Sequence, residues 1–150
     1  MCSVRRGGRR PNASKEEIEQ LLQLEKERIQ ELKDHPELAL PNADDAIAPD
    51  AKFTGYLFSP SNPDGYAKGI AFETRLGYNI TNWEEMQAEI LEVAKRFPAE
   101  QIDHDEWGHK YTQYVVLHGK KGIPANVMLG WIDDDRETRM TTVMMKKVKK

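Results

Sequence analysis

The side chains able to move protons or carry charge in a reaction are spread along the chain: Lys68, His104, His109, His118, Tyr111, Trp131, Thr141 and Thr142. Brought together, such groups suit RNA cleavage without a metal. A base takes the 2′-hydroxyl proton, a cation steadies the charge of the phosphorane, and an acid protonates the leaving oxygen. Tyrosine or tryptophan would hold an unpaired base by stacking. Each residue also has a plainer reading. Lys68 alone reads as a solvated helix lysine, Trp131 as a core residue, and the two threonines as good strand formers. The run Asp103-His104-Asp105-Glu106-Trp107-Gly108-His109 has the donors of a metal site. Its histidines are five apart, whereas a helical pair sharing one face needs four. A polar turn is the default for this run. The alternative is one imidazole acting as general base or acid, since its pKa lies near neutrality.

Other chemistries are excluded more firmly. The glycines at 65, 69, 77 and 119 fit neither phosphate-loop spacing, and there is no Gly-x-Ser-x-Gly element. The single cysteine, Cys2, rules out a disulfide framework and a cysteine-based zinc site. No metal and no cofactor is expected. Charge is unevenly placed. The whole chain carries −3, while Arg5, Arg6, Arg9, Arg10, Lys146, Lys147, Lys149 and Lys150 carry +8, so residues 14–145 carry −11. So acidic a body is no general trap for nucleic acid; RNA binding would need a local basic patch or the tails. With no apolar run long enough for a membrane span and no apolar signal core, the chain reads as cytoplasmic, unless a larger parent or a dedicated machine exports it.

The elements that must position these residues follow from periodicity. Residues 1–13 read as a disordered basic arm. Residues 14–35 read as an amphipathic helix opened by the capping box Ser14-x-x-Glu17, with a narrow apolar stripe that suits a partner helix or a connector. Residues 36–51 hold three prolines and read as a linker, so the domain proper is expected over 52–148. Phe53, Tyr56, Leu57 and Phe58 read as a strand stopped by Pro60 and Pro63. A helix should follow, capped by Asp64 and ended by Gly77, with Lys68 one turn in. Trp83, Met86, Ile90, Val93, Ala94 and Phe97 mark a second helix. From Gln101 the period becomes two. Strands are expected over Lys110–His118, Pro124–Ile132 and Thr138–Val148, with a short extra strand at Gln101–Asp105 as an option. The fold class is therefore α+β: an antiparallel β-meander with two helices packed on one face, ordered β-α-α-β-β-β, after a separate N-terminal helix and linker.

Phe53-Thr-Gly-Tyr56, then Pro60-x-x-Pro63-x-Gly65-x-x-Lys68-x-x-x-Phe72 and Leu76-Gly77, resembles the start of a small bacterial domain-of-unknown-function family. That family occurs at the C-termini of polymorphic toxins and of phage head-morphogenesis proteins. Gly108-x-x-Tyr111, Gly130-Trp131-Ile132 and Thr142 resemble its later half, so the resemblance covers about residues 52–145. It implies a toxin-type module, and its element order is similar to the barnase/EndoU/colicin/RelE-like ribonucleases. The matching positions are Lys68, Tyr111, Trp131 and Thr142. Where the family often has a histidine, this chain has Asn62, which leaves His109, and after it His104, as base or acid. The implied activity is metal-independent cleavage of RNA. Lys68 would steady the phosphate, Tyr111 and Trp131 would position the nucleotide, and Thr142 would hydrogen-bond it. The resemblance also implies an immunity protein or a parent scaffold as partner, and delivery to a target-cell cytoplasm as part of a larger protein. The rival expectation is a non-enzymatic interaction module at the tail of a phage or toxin scaffold, docking through the helix at 14–34.

Overall fold

The computed structural model describes residues 14–148; the basic arm expected over 1–13 lies outside the described residues. Helix α1, Lys15–Asp34, starts at Ser14, whose hydroxyl accepts from the Glu17 amide at 3.1 Å. Helices α2, Pro63–Leu76, and α3, Trp83–Ala94, precede four strands: β1, Ala99–Asp105; β2, Gly108–Leu117; β3, Ala125–Asp133; and β4, Thr138–Met145. The strands form one antiparallel meander in the order β1-β2-β3-β4. The α+β class and the meander are as the periodicity predicts, with the helices before the strands.

The expected first strand is not a strand. Ala51 and Lys52 are helical and Phe53–Leu57 form a π-helical turn, closed by the Phe58 amide donating to the Phe53 carbonyl at 2.9 Å. Its apolar residues lie at 53, 56 and 57, which is helical spacing. Pro49-Asp50 starts the turn, and the Asp50 carbonyl accepts from the Phe53 and Thr54 amides. The order is therefore α-α-β-β-β-β behind this turn. The cap of α2 also shifts by two residues. Asn62 Oδ1 accepts from the Gly65 amide at 3.3 Å, and Pro63 takes the first helical position, where its missing N–H costs nothing. Asp64 sits in the first turn, and Gly77, at φ 80°, ends the helix as expected.

One sheet face carries the core. Gln113, Val115 and Leu117 of β2, Val127, Leu129 and Trp131 of β3, and Met140 and Val143 of β4 are buried with Phe53, Leu57, Phe72, Met86, Ile90 and Phe97. Burying these side chains supplies the main driving force, at about 1.5–3 kcal/mol for each large one. The segment read as a linker covers part of one sheet edge. The Ile47 amide donates to Thr138, and the Ile47 carbonyl accepts from Met140 at 2.8 Å. Helix α1 reaches the second face. Leu21 is buried, Arg28 donates to Asn126 Oδ1 at 2.8 Å and lies over the Tyr114 ring, and Glu25 pairs with His118 at 2.9 Å.

Candidate functional site

Two glycines create the site. Gly65 and Gly69, four apart on α2, press against the Tyr56 and Leu57 carbonyls of the π turn, at positions where a Cβ would overlap those oxygens. This close approach lays the Tyr56 ring beside Lys68. Lys68 Nζ donates to the Tyr56 hydroxyl at 2.9 Å and lies 5.3 Å from its ring centre. Lys52 Nζ lies 5.6 Å from the same centre. The Lys68 ammonium sits at the hydroxyl end of the ring and is held by that oxygen, while Lys52 lies within cation–π reach of the ring. Because the phenol oxygen accepts from Lys68, its own O–H is left to point elsewhere.

The far wall is the exposed edge of β4. Thr142 pairs with Gly130 and Met140 with Trp131, so Thr141 is the extra residue of a β-bulge. Bulges re-aim side chains and recur beside functional sites. Together Lys52, Tyr56, Lys68, Thr141, Thr142 and Val143 line a cavity of about 140 Å³. Neither lysine has a carboxylate within salt-bridge distance among the described residues. Two unpaired ammoniums, a phenol and two threonine hydroxyls can hold a tetrahedral oxyanion such as a phosphate.

The residues expected from the sequence divide among several places. Lys68 and Thr142 meet in this cavity. Thr142 also lines a second, larger hollow on the outer sheet face, to which Tyr111 and Trp131 contribute. Trp131 itself is only 1% exposed, and its Nε1 donates to Gln113 Oε1 at 3.0 Å, so its ring is enclosed in the core rather than presented for stacking. Tyr111 is half-buried at the core margin, where burial and then the nearby Asp133 carboxylate push its phenol pKa up. His104 and His109 stack on each other, ring centres 5.4 Å apart, at the β1–β2 hairpin. His109 Nδ1 is 3.0 Å from Gln101 Nε2, and neither imidazole lines the Lys68 cavity. His118 is engaged by Glu25 of α1. Neither Lys52 nor Tyr56 is marked as a site residue by the sequence, where Tyr56 reads only as part of a strand and of the family motif. The signal that could have found them is the 53, 56, 57 spacing behind Pro49-Asp50, which puts both on a helical turn instead of a strand. Among the described residues no three His, Cys, Asp or Glu side chains converge as metal ligands, and no helix is long and apolar enough to cross a membrane.

A family model for a domain of unknown function, DUF6883, matches residues 39–147. No curated protein and no solved structure matches the chain. The matched span takes in the segment paired with β4, the π turn, both helices of the core and the whole sheet, and leaves α1 outside. Since it is well over half the chain, the protein belongs to the DUF6883 family, a domain of unknown function.

Proposed function

We propose that this domain is a toxin-type module that cleaves RNA without a metal, working from the cavity between the π turn, α2 and the β4 edge. One observation carries the reading. Lys68 and Thr142, which sequence reasoning marks for phosphate charge and hydrogen bonding, line the same cavity although they are far apart in the chain. Lys52 and Lys68 steady the charge that grows on the phosphorane, as preorganised cations do at such centres. The 2′-oxygen bonds to phosphorus as its proton passes to solvent water, and the P–O5′ bond breaks. The free O–H of Tyr56 protonates the leaving 5′-oxygen and is restored from water, and Thr141 and Thr142 hold the remaining phosphate oxygens. The acidic body restricts the activity to RNA that can present one scissile phosphate to this local basic patch. A module of this kind would act in the cytoplasm of the cell it enters and would need an immunity partner or a carrier.

The test uses purified protein, labelled RNA and EDTA. Cleavage that survives EDTA and leaves 2′,3′-cyclic phosphate ends is expected. Lys68→Met should slow it at least about 100-fold and Tyr56→Phe by a comparable factor. His109→Ala and His104→Ala should leave the rate unchanged, because neither ring reaches the cavity. Intact RNA with the parent protein would reject the proposal, and a fully active, folded Lys68→Met would place the chemistry elsewhere. In the first case the interaction-module reading stands, since half of one sheet face is open and carries exposed Ile102 and Trp107.

A further inference from the structure

The outer face of the sheet is built from Lys110, Thr112, Tyr114 and Val116 of β2 facing Ile132, Gly130, Met128 and Asn126 of β3. Helix α1 covers the Asn126 end through Arg28 and leaves the other half bare. There Ile102, Trp107, Met128, Gly130, Ile132 and Thr142 surround a hollow of about 490 Å³. Trp107 is 68% exposed and Ile102 58%, the highest values among the large apolar side chains described. Ile102 stands at the β1 bulge between Gln101 and Asp103. Strand β1 is an edge strand, and nothing among the described residues pairs with its outer side. An unpaired edge beside an apolar hollow is the template for strand addition.

Charge selects the occupant. The edge and its hairpin carry Glu100, Asp103, Asp105 and Glu106, while Lys110, the nearest cation on β2, is already held by Asp105 at 3.0 Å. A phosphate backbone would be repelled here, and a cationic chain attracted. We propose that a basic, extended segment of a partner protein adds to β1 as a fifth strand. Its lysines or arginines lie on the outer sheet face beside Glu100 and Asp103, which pair with Thr112 and Lys110 of that face. Their aliphatic stems pack against Ile102 and Trp107. The surface is separate from the Lys68 cavity in its charge and in most of its residues, so the inference does not rest on the RNA reading.

The experiment titrates the full chain with a ten-residue peptide of alternating lysine and valine and follows the Trp107 indole N–H by NMR. The indole signal should shift with saturation. Affinity should fall with added salt, and at least tenfold in the doubly reversed Glu100→Lys, Asp103→Lys variant. Trp107→Ala should weaken binding by a similar factor, followed on the β1 amide signals. A glutamate–valine peptide of equal length should not bind. An unmoved indole, equal binding of the acidic peptide, or unchanged affinity in the folded charge-reversed variant would overturn the proposal. So would a single-stranded RNA oligomer that shifts the indole in place of the peptide. RNA cleavage by the charge-reversed variant should match the parent, so failure here and failure of the ribonuclease reading are told apart.

Discussion

Replacing Gln113 by methionine should be among the most damaging single changes in this protein. Gln113 is fully buried in β2. Its amide donates to the carbonyls of Ala94 at 3.1 Å and Phe97 at 2.8 Å, and its own carbonyl accepts from Trp131 Nε1 at 3.0 Å. One side chain thus satisfies acceptors at the C-terminal end of α3, where a helix leaves carbonyls without partners, and ties them to β2 and β3. Methionine keeps the volume and strands one donor and two acceptors. Each stranded buried group costs about 1–3 kcal/mol, and the carbonyls sit at the lower end, so the loss should be about 3–6 kcal/mol. A domain holds about 5–15 kcal/mol in all. With a urea slope of about 2 kcal/mol per molar, the midpoint should fall by about 1.5–3 M. Adding Trp131→Phe should recover about 1–2 kcal/mol of the summed single losses, because the orphaned indole donor is gone. A midpoint drop below about 0.5 M, or strict additivity with Trp131→Phe, would refute the account of this network.

Two further predictions test the supports of the site. Gly69→Ala should lower Tm by about 3 °C or more, since the added methyl must displace the Leu57 carbonyl at a cost of about 1–3 kcal/mol, whereas Gly55→Ala, with open space around it, should be neutral or stabilising. An unchanged Tm for Gly69→Ala would mean that the π turn and α2 do not need this contact. Tyr78 donates to Glu89 at 2.6 Å, and burial first, then that hydrogen bond, raise its pKa. Its contribution to stability is fully present below its unfolded pKa of about 10 and is lost as pH rises through the higher folded value. Ultraviolet titration of folded protein should show one phenol ionising after the others, and Tyr78→Phe should remove that step; its persistence would sink the assignment.

Much of the fold is legible in local pattern. Ser14 and Gly77 mark the start of α1 and the end of α2, and the change to period two after Gln101 announces the meander. The π turn was hidden because Phe53, Tyr56, Leu57 and Phe58 are aromatic or bulky and suit either state; only the 53, 56, 57 spacing favours helix. Packing against Gly65 and Gly69 settles the choice, and that contact is invisible along the chain. Trp131 shows a different limit. Its residue type fits either a stacking platform or a core, and the partner that settles it, Gln113, is joined to it only by the β2–β3 register.

By itself the sequence determined which residues prefer helix or strand, which faces are apolar, and how charge is shared between the tails and the acidic body. These follow from propensity, periodicity and composition, all of which act over a few residues. The tertiary structure alone decided that Lys68 and Thr142 line one cavity with Lys52 and Tyr56, that His104 and His109 stand apart from it, and that α1 covers only half of the outer sheet face. Those outcomes depend on strand register and on how closely two backbones can approach, and both are fixed only when the distant segments pack together.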